Sequence, residues 1–219
     1  MKRVASLRQH NNMAINLYIV RHGQTQDNLE GRIQGHTDSP LTELGIKQAE
    51  AIARRLAAQN LSALYSSDLG RAVTTAQAIA RAQNVQMQPH LTPLLRELNL
   101  GKAQGLTREQ YAQQRPDEFK LWQRDSIKHR PCGAETVEQA IERCGQFIEY
   151  VRSKHKDGET LGVIGHGGSL KSMLIYALGL PVECYRKLLM ANTSLSILEI
   201  GDQSRLRLFN DTCHLEVGG

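Results

Sequence analysis

The segment Ile15-Asn16-Leu17-Tyr18-Ile19-Val20-Arg21-His22-Gly23 constrains the fold of this 219-residue chain more than any other. Five of its first six residues are apolar or aromatic, and Ile15, Ile19 and Val20 are β-branched. This pattern predicts a buried strand of a mainly parallel sheet. The strand delivers a cation and an imidazole together at its carboxyl end, where open α/β sheets bind ligands. Alone, the pair has an equally ordinary explanation, since Arg and His are common at solvated strand ends.

The rest of the chain repeats the arrangement. A polar, Gly-rich loop (Gln24 to Pro40) lacks the glycine–lysine spacing of a P-loop. Thr42 then caps a helix whose Ile46, Ala49, Ile52, Ala53 and Leu56 share one face. Leu61 to Tyr65 predicts the second strand, and Asp68 is placed to cap a helix over Leu69 to Gln83. Arg71 in its first turn opposes the helix dipole but suits a phosphate held there. Val85 to Gln88 predicts a third strand, followed by an extended segment with Glu97 among apolar neighbours. Residues 107–130 are weakly helical and read as a cap, where specificity resides. A helix over Glu135 to Lys156 carries the stripe Val137, Ile141, Cys144, Ile148 and Val151. Thr160 to Ile164 predicts a buried strand that ends in Gly165-His166-Gly167-Gly168 and turns into a helix from Ser169 to Leu178. Strands over Ser194 to Ile200 and Arg205 to Phe209 close the chain. The expectation is an α/β three-layer sandwich: a mostly parallel central sheet, helices on both faces, and a small helical cap. It is one domain over 14–219 with the cap inserted at about 104–131, and residues 1–13 form an extension or a disordered segment.

Composition narrows the function. The formal charge is +5, but Lys2, Arg3 and Arg8 fall in the first ten residues. The remaining 24 basic residues face 22 acidic ones and form no stripe with interleaved aromatics, which argues against a nucleic-acid partner. No apolar run approaches bilayer length. The first thirteen residues lack the apolar block of a secretory leader. Cys132, Cys144, Cys184 and Cys213 are widely spaced, as in a reduced, cytoplasmic protein, and neither Cys nor His shows zinc-site spacing. A small anionic ligand needs only a few local cations.

Arg21-His22-Gly23-Gln24-Thr25 with Asn28, Ser67-Asp68-Leu69-Gly70-Arg71-Ala72 with Thr75-Ala76, Leu95-Arg96-Glu97, and Gly165-His166-Gly167 follow in order. With Pro40-Leu41-Thr42 and Gly45 between them, they resemble the motifs of the histidine phosphatase superfamily, the group of phosphoglycerate mutases and related phosphatases. The resemblance runs from Tyr18 to about Leu174. The tail Asn210 to Leu215 is similar to that of its small bacterial phosphatases.

The resemblance implies phosphoryl transfer by positioning and charge stabilisation. His22 would be the nucleophile, giving a phosphohistidine. Arg21, Arg71 and His166 would surround the phosphoryl group, whose oxygens would favour the cationic form of His166. Asn28, Gln34 and the N–H of Gly167 would complete substrate binding. Glu97 would protonate the leaving oxygen and then activate water. Neither a metal nor a cofactor is implied. The partner is a small phosphorylated metabolite, and a homodimer is left open.

Within the family, mutases carry a longer insert between the acid and the second histidine than Glu97 to His166 allows, so the resemblance favours a phosphatase. A cofactor-dependent phosphoglycerate mutase is the alternative. A non-catalytic phosphate-binding regulatory protein would be expected to lack one of His22, Glu97 and His166. Many relatives place Trp-Glu before the glycine that follows the acid motif, whereas this chain has Ala103-Gln104 before Gly105.

Overall fold

The computed structural model describes residues 14–216; the extension or disordered segment expected over 1–13 lies outside them. At the centre of the sheet is β1 (Ile15–Arg21), with parallel β4 (Thr160–Gly165) on one side and antiparallel β5 (Leu195–Ile200) on the other. β2 (Ala63–Ser67) pairs parallel with β4, β3 (His90–Thr92) pairs parallel with β2, and β6 (Arg205–Asp211) pairs antiparallel with β5. The order is β3-β2-β4-β1-β5-β6, so the sheet is parallel on one side of β1 and antiparallel on the other.

Alternation along the strands divides the core between two faces. On one face Leu17, Ile19, Leu161 and Val163 pack against α6 (Val137–Lys154) and α7 (Gly167–Leu178). On the other, Val20, Leu64 and Ile164 pack against α2 (Glu43–Leu56) and α3 (Gly70–Arg81). These are the three layers the periodicities predict. Each fully buried Leu, Ile or Phe contributes roughly 1.5–3 kcal/mol.

Two local expectations change. The third strand is His90–Thr92, whereas Val85 and Gln86 lie exposed in the loop before it. Pro89 separates the two stretches, and β2 offers only Tyr65, Ser66 and Ser67 for pairing. The Gly-rich loop also contains a short helix, α1 (Gln26–Leu29), capped by Thr25 and Asn28.

The segment expected to form a cap folds into α4 (Arg108–Gln114) and α5 (Pro116–Arg124). Tyr111, Phe119 and Trp122 meet edge to face there and pack with Ile33 and Ala103. Among the described residues no helix is long and apolar enough to cross a membrane.

Candidate active site

Register brings the two histidines together. β1 and β4 pair residue for residue up to Arg21 with Gly165, and the His22 N–H continues the ladder to the Gly165 carbonyl at 3.0 Å. His22 and His166 are therefore the next residues on adjacent parallel strands. Their ring centroids are 5.1 Å apart at 57°, and both rings are buried.

His22 Nδ1 lies 2.7 Å from the Gly23 carbonyl, a contact that requires a proton on Nδ1 and leaves the Nε2 lone pair free. Burial, reinforced by Arg21 and Arg71, holds the His22 imidazole well below its ordinary histidine range. The ring is neutral at neutral pH, as a nucleophile requires.

His166, expected to become a cation beside phosphate oxygens, carries the hydrogen bonds of a neutral ring in the site itself. Its Nδ1 accepts from Arg71 Nε at 3.2 Å, so its proton lies on Nε2, which donates to Ser67 Oγ at 2.8 Å. Burial, then His22, Arg71 and Arg21, keep it well below the ordinary range.

The two arginines differ. Arg71 is 1% exposed and donates to the Gly35 and Thr37 carbonyls at 2.7 and 2.8 Å and to Asp38 at 3.2 Å. Arg21 donates to the Met190 carbonyl at 2.6 Å but forms no ion pair among the described residues, and its Nε is buried without a partner. Arg21 lies against Gly167, where an added Cβ would be 3.7 Å from Nε. A buried guanidinium N–H without an acceptor is costly, and an anion beside it removes that cost.

Asp38 also takes the capping role expected of Asp68. Its carboxylate accepts from Gly70 N–H at 2.6 Å and Arg71 N–H at 3.4 Å. Asp68 is engaged instead by Arg96 in a bidentate pair at 2.7 and 2.6 Å. That pair steadies the segment preceding Glu97.

Glu97 is fixed by backbone donors. Its carboxylate accepts from Leu98 N–H at 2.9 Å and, in the first turn of α7, from Gly168 and Ser169 N–H at 3.0 and 3.1 Å. Glycine at 168 leaves room for this seat, because a Cβ would overlap Glu97 Oε1 and reach 2.9 Å from Tyr185 Oη, so the carboxylate would have to shift.

The remaining expected residues lie less directly at the centre. Asn28 spends its Oδ1 on Thr25 N–H and Asn192 Nδ2, leaving its amide nitrogen as the group able to donate to a ligand. Gln34 donates to Thr25 Oγ1, and its unpartnered Oε1 is an acceptor, the wrong polarity for a phosphoryl oxygen. Gln34 thus supports the loop that carries α1.

Several contributors gave no local signal. Asn192 donates to the His22 carbonyl at 2.9 Å, His36 Nε2 lies 2.7 Å from the Glu97 carbonyl, and Thr75 Oγ1 accepts from Gly23 N–H at 3.1 Å. Thr75 was visible only as part of a motif. Asn192 and His36 lie in loops whose placement no periodicity reports.

In front of Glu97 the site opens into a cavity of about 470 Å³, lined from the core by Arg21, Gly167, Lys171 and Tyr185 and from the cap side by Trp122 and Arg130.

The chain is similar to known proteins over most of its length. Phosphoglycerate mutase-like protein 4 of Arabidopsis thaliana is 36% identical over 208 residues, covering 93% of this chain and 88% of that protein. The metal-independent phosphoserine phosphatase of the same plant is 36% identical over 208 residues, covering 93% and 84%. The solved structure of YhfR from Bacillus stearothermophilus superposes with a TM-score of 0.85 at 30% identity, covering 92% of this chain and 100% of that one. The family model of the histidine phosphatase superfamily (branch 1) matches residues 17–212, and the chain belongs to that family.

Proposed function

We propose that the protein is a phosphomonoester hydrolase acting on a small phosphorylated metabolite through a phosphohistidine. The observation that carries this reading is the group of Arg21, Arg71, His22 and His166 around one point, with Arg21 Nε buried and unanswered. A phosphoryl dianion supplies the missing acceptor. The name of the plant phosphoserine phosphatase supports both the reaction and its independence of metal.

His22 Nε2 attacks phosphorus while Glu97, in its protonated form, gives its proton to the departing alkoxide. The P–O bond to the leaving group breaks as the N–P bond forms. Water then attacks the phosphohistidine, Glu97 takes the water proton, and inorganic phosphate leaves with His22 restored. Arg21 and the free N–H of Arg71 meet the equatorial oxygens, with Asn28 and Gly167 N–H adding donors. Neutral His166 acts through its neighbours, holding the Arg71 guanidinium in line. The cap over 104–131 bears on the leaving group. The same reading places the enzyme in the cytoplasm without a nucleic-acid partner.

The test is hydrolysis of p-nitrophenyl phosphate in excess chelator. Wild type is expected to turn over and His22→Ala to be inactive, with phosphate trapped on His22 in the wild type at alkaline quench. Full activity of His22→Ala removes the mechanism. The plant relative named phosphoglycerate mutase-like favours mutase activity as a second reading. A coupled assay with and without 2,3-bisphosphoglycerate tests it, and cofactor-dependent interconversion faster than phosphate release would establish it.

A further inference from the structure

The tail that follows β6 reaches the phosphoryl site through one turn, Met190–Thr193, in the connection between α7 and β5. The Met190 carbonyl accepts from Arg21 Nη1 at 2.6 Å. Asn192 Nδ2 donates to the His22 carbonyl at 2.9 Å and to Asn28 Oδ1 at 3.2 Å. The Thr193 N–H donates to the Arg21 carbonyl at 3.0 Å, with the His22 carbonyl at 3.3 Å. The turn therefore fixes both carbonyls of the Arg21-His22 pair, one end of the Arg21 guanidinium, and Asn28.

Its shape is not one the local chain prefers. Thr193 is buried at φ +52°, in the left-handed region, where a β-branched side chain is strained. Such a conformation persists only where its surroundings impose it. Asn210, at the end of β6, accepts the Ala191 N–H on Oδ1 at 2.7 Å and donates its own N–H to Ser196 Oγ at 3.0 Å. It is left-handed too, at φ +54°, which asparagine tolerates.

His214 stands on the other side of the turn. Its Nδ1 accepts from Arg55 Nη1 at 3.1 Å, so the ring proton lies on Nε2. That nitrogen is buried against the Thr193 backbone with no partner at hydrogen-bond distance. Burial, then Arg55, hold the imidazole below its ordinary histidine value, against Asp211 and the Thr193 backbone. Arg55 reaches from α2 and also grips Asp211 through both terminal nitrogens, at 3.1 and 3.0 Å. Asp211 accepts in turn from the Cys213 N–H at 2.8 Å, which closes the tail into a short turn over Cys213–Leu215. A tail that only covered the edge of the sheet would use Arg55 and Asp211. It would have no use for an acceptor on the Ala191 N–H or an imidazole against Thr193.

We infer that the tail is a brace for the nucleophile: Asn210 and His214 hold the Met190–Thr193 turn in its left-handed shape, and through it position Arg21 and His22 for phosphoryl transfer. The inference rests on the phosphatase reading above. Both are positioning residues, since neither lines the cavity in front of Glu97. A relaxed turn lets the guanidinium and the imidazole drift from the line of attack, and a displacement of about 1 Å costs about a hundredfold.

The test reads kcat/KM for p-nitrophenyl phosphate and for glycerol 3-phosphate, together with the urea midpoint. Asn210→Gly reaches the left-handed region freely and removes the acceptor. Asn210→Asp is the conservative rescue, because it keeps an acceptor oxygen. His214→Phe keeps the bulk of a ring and removes both nitrogens. Asn210→Gly and His214→Phe are expected to lose about tenfold or more in kcat/KM on both substrates alike, since both wait on His22. Asn210→Asp should stay within about threefold of wild type. Adding Thr193→Gly to Asn210→Gly should recover at least about threefold, because glycine takes the left-handed shape without a brace, whereas a second glycine would otherwise only add damage. A folded Asn210→Gly or His214→Phe with wild-type kcat/KM and only a lower urea midpoint makes the tail a stability element and overturns the brace. So does an equal loss in Asn210→Asp, or no recovery with Thr193→Gly. In each of these cases wild-type hydrolysis of p-nitrophenyl phosphate leaves the phosphatase intact, and a wild type inert toward it takes down both.

Discussion

Arg71 donates its Nε–H to Nδ1 of His166 across 3.2 Å, and that hydrogen bond fixes the protonation of the second histidine. The guanidinium is also the knot of the Gly35–Asp38 loop, gathering two carbonyls and a carboxylate. Arg71→Lys keeps the charge but has no planar fork to reach these groups together. Steady-state kinetics should show kcat/KM falling by about a hundredfold or more, the loss of two or more charge-assisted hydrogen bonds. A loss below threefold would mean that the loop and His166 are held by something else.

Glu97→Gln replaces a carboxylate oxygen with an amide that faces backbone N–H donors. The variant cannot protonate a departing alkoxide. Alkyl phosphates should slow by about 10²–10⁴, the usual worth of general acid catalysis, with p-nitrophenyl phosphate less affected in kcat/KM. A plot of log kcat/KM against leaving-group acidity should steepen, and an unchanged slope would remove Glu97 as the acid.

Arg143 positions that acid from α6. It pairs with Glu135 at 2.8 and 2.9 Å and donates to the Leu94 and Arg96 carbonyls at 2.7 and 3.0 Å, directly before Glu97. Arg143→Met should lower kcat about tenfold or more for poor leaving groups and less for good ones. A merely structural role would slow both classes alike.

Gly168→Ala drives a methyl group into Glu97 Oε1, Leu98 and Tyr185. Circular dichroism should show the fold retained, while kcat drops at least about tenfold as the carboxylate leaves its three donors. Wild-type kcat in this variant would show that the acid does not need that seat.

Stability should fall in mild acid because His22 and His166 are buried neutral. Above about pH 6.5 neither the folded nor the unfolded chain protonates them. Below it the unfolded chain takes up protons that the native state refuses, so stability declines as pH falls. The pair contributes up to about 2.7 kcal/mol per pH unit, two protons at about 1.4 each. Urea denaturation at pH 7, 6 and 5 should show a shallower decline in His22→Gln/His166→Gln than in wild type. Equal slopes would mean that these histidines do not refuse protons in the folded protein.

Thr42 shows what local pattern can decide: its side chain caps α2 at Gly45 N–H, 3.0 Å away, as its position before an amphipathic run predicts. The stripes of α2 and α6 and the apolar runs of β1 and β4 are likewise legible, because burial of a helix stripe or a strand face repeats with a fixed period. With β1 and β4 named, the likeness of the motifs to a known family supplies the pairing of Arg21-His22 with His166. Asp68 shows the limit. By position it should cap α3, yet the cap is Asp38, thirty residues upstream, and Asp68 belongs to Arg96. The same holds for β3 displaced past Pro89, for Gln34 turned onto Thr25, and for Arg130 and Lys171 meeting across one cavity. Sequence alone determined the long amphipathic helices, the buried strands β1 and β4 and the residues that follow those strands, since their backbone conformation follows local periodicity and capping. Only the tertiary structure decided which polar groups face each other, because a buried hydrogen bond or uncompensated charge depends on loop closure between distant segments, and no local spacing encodes that.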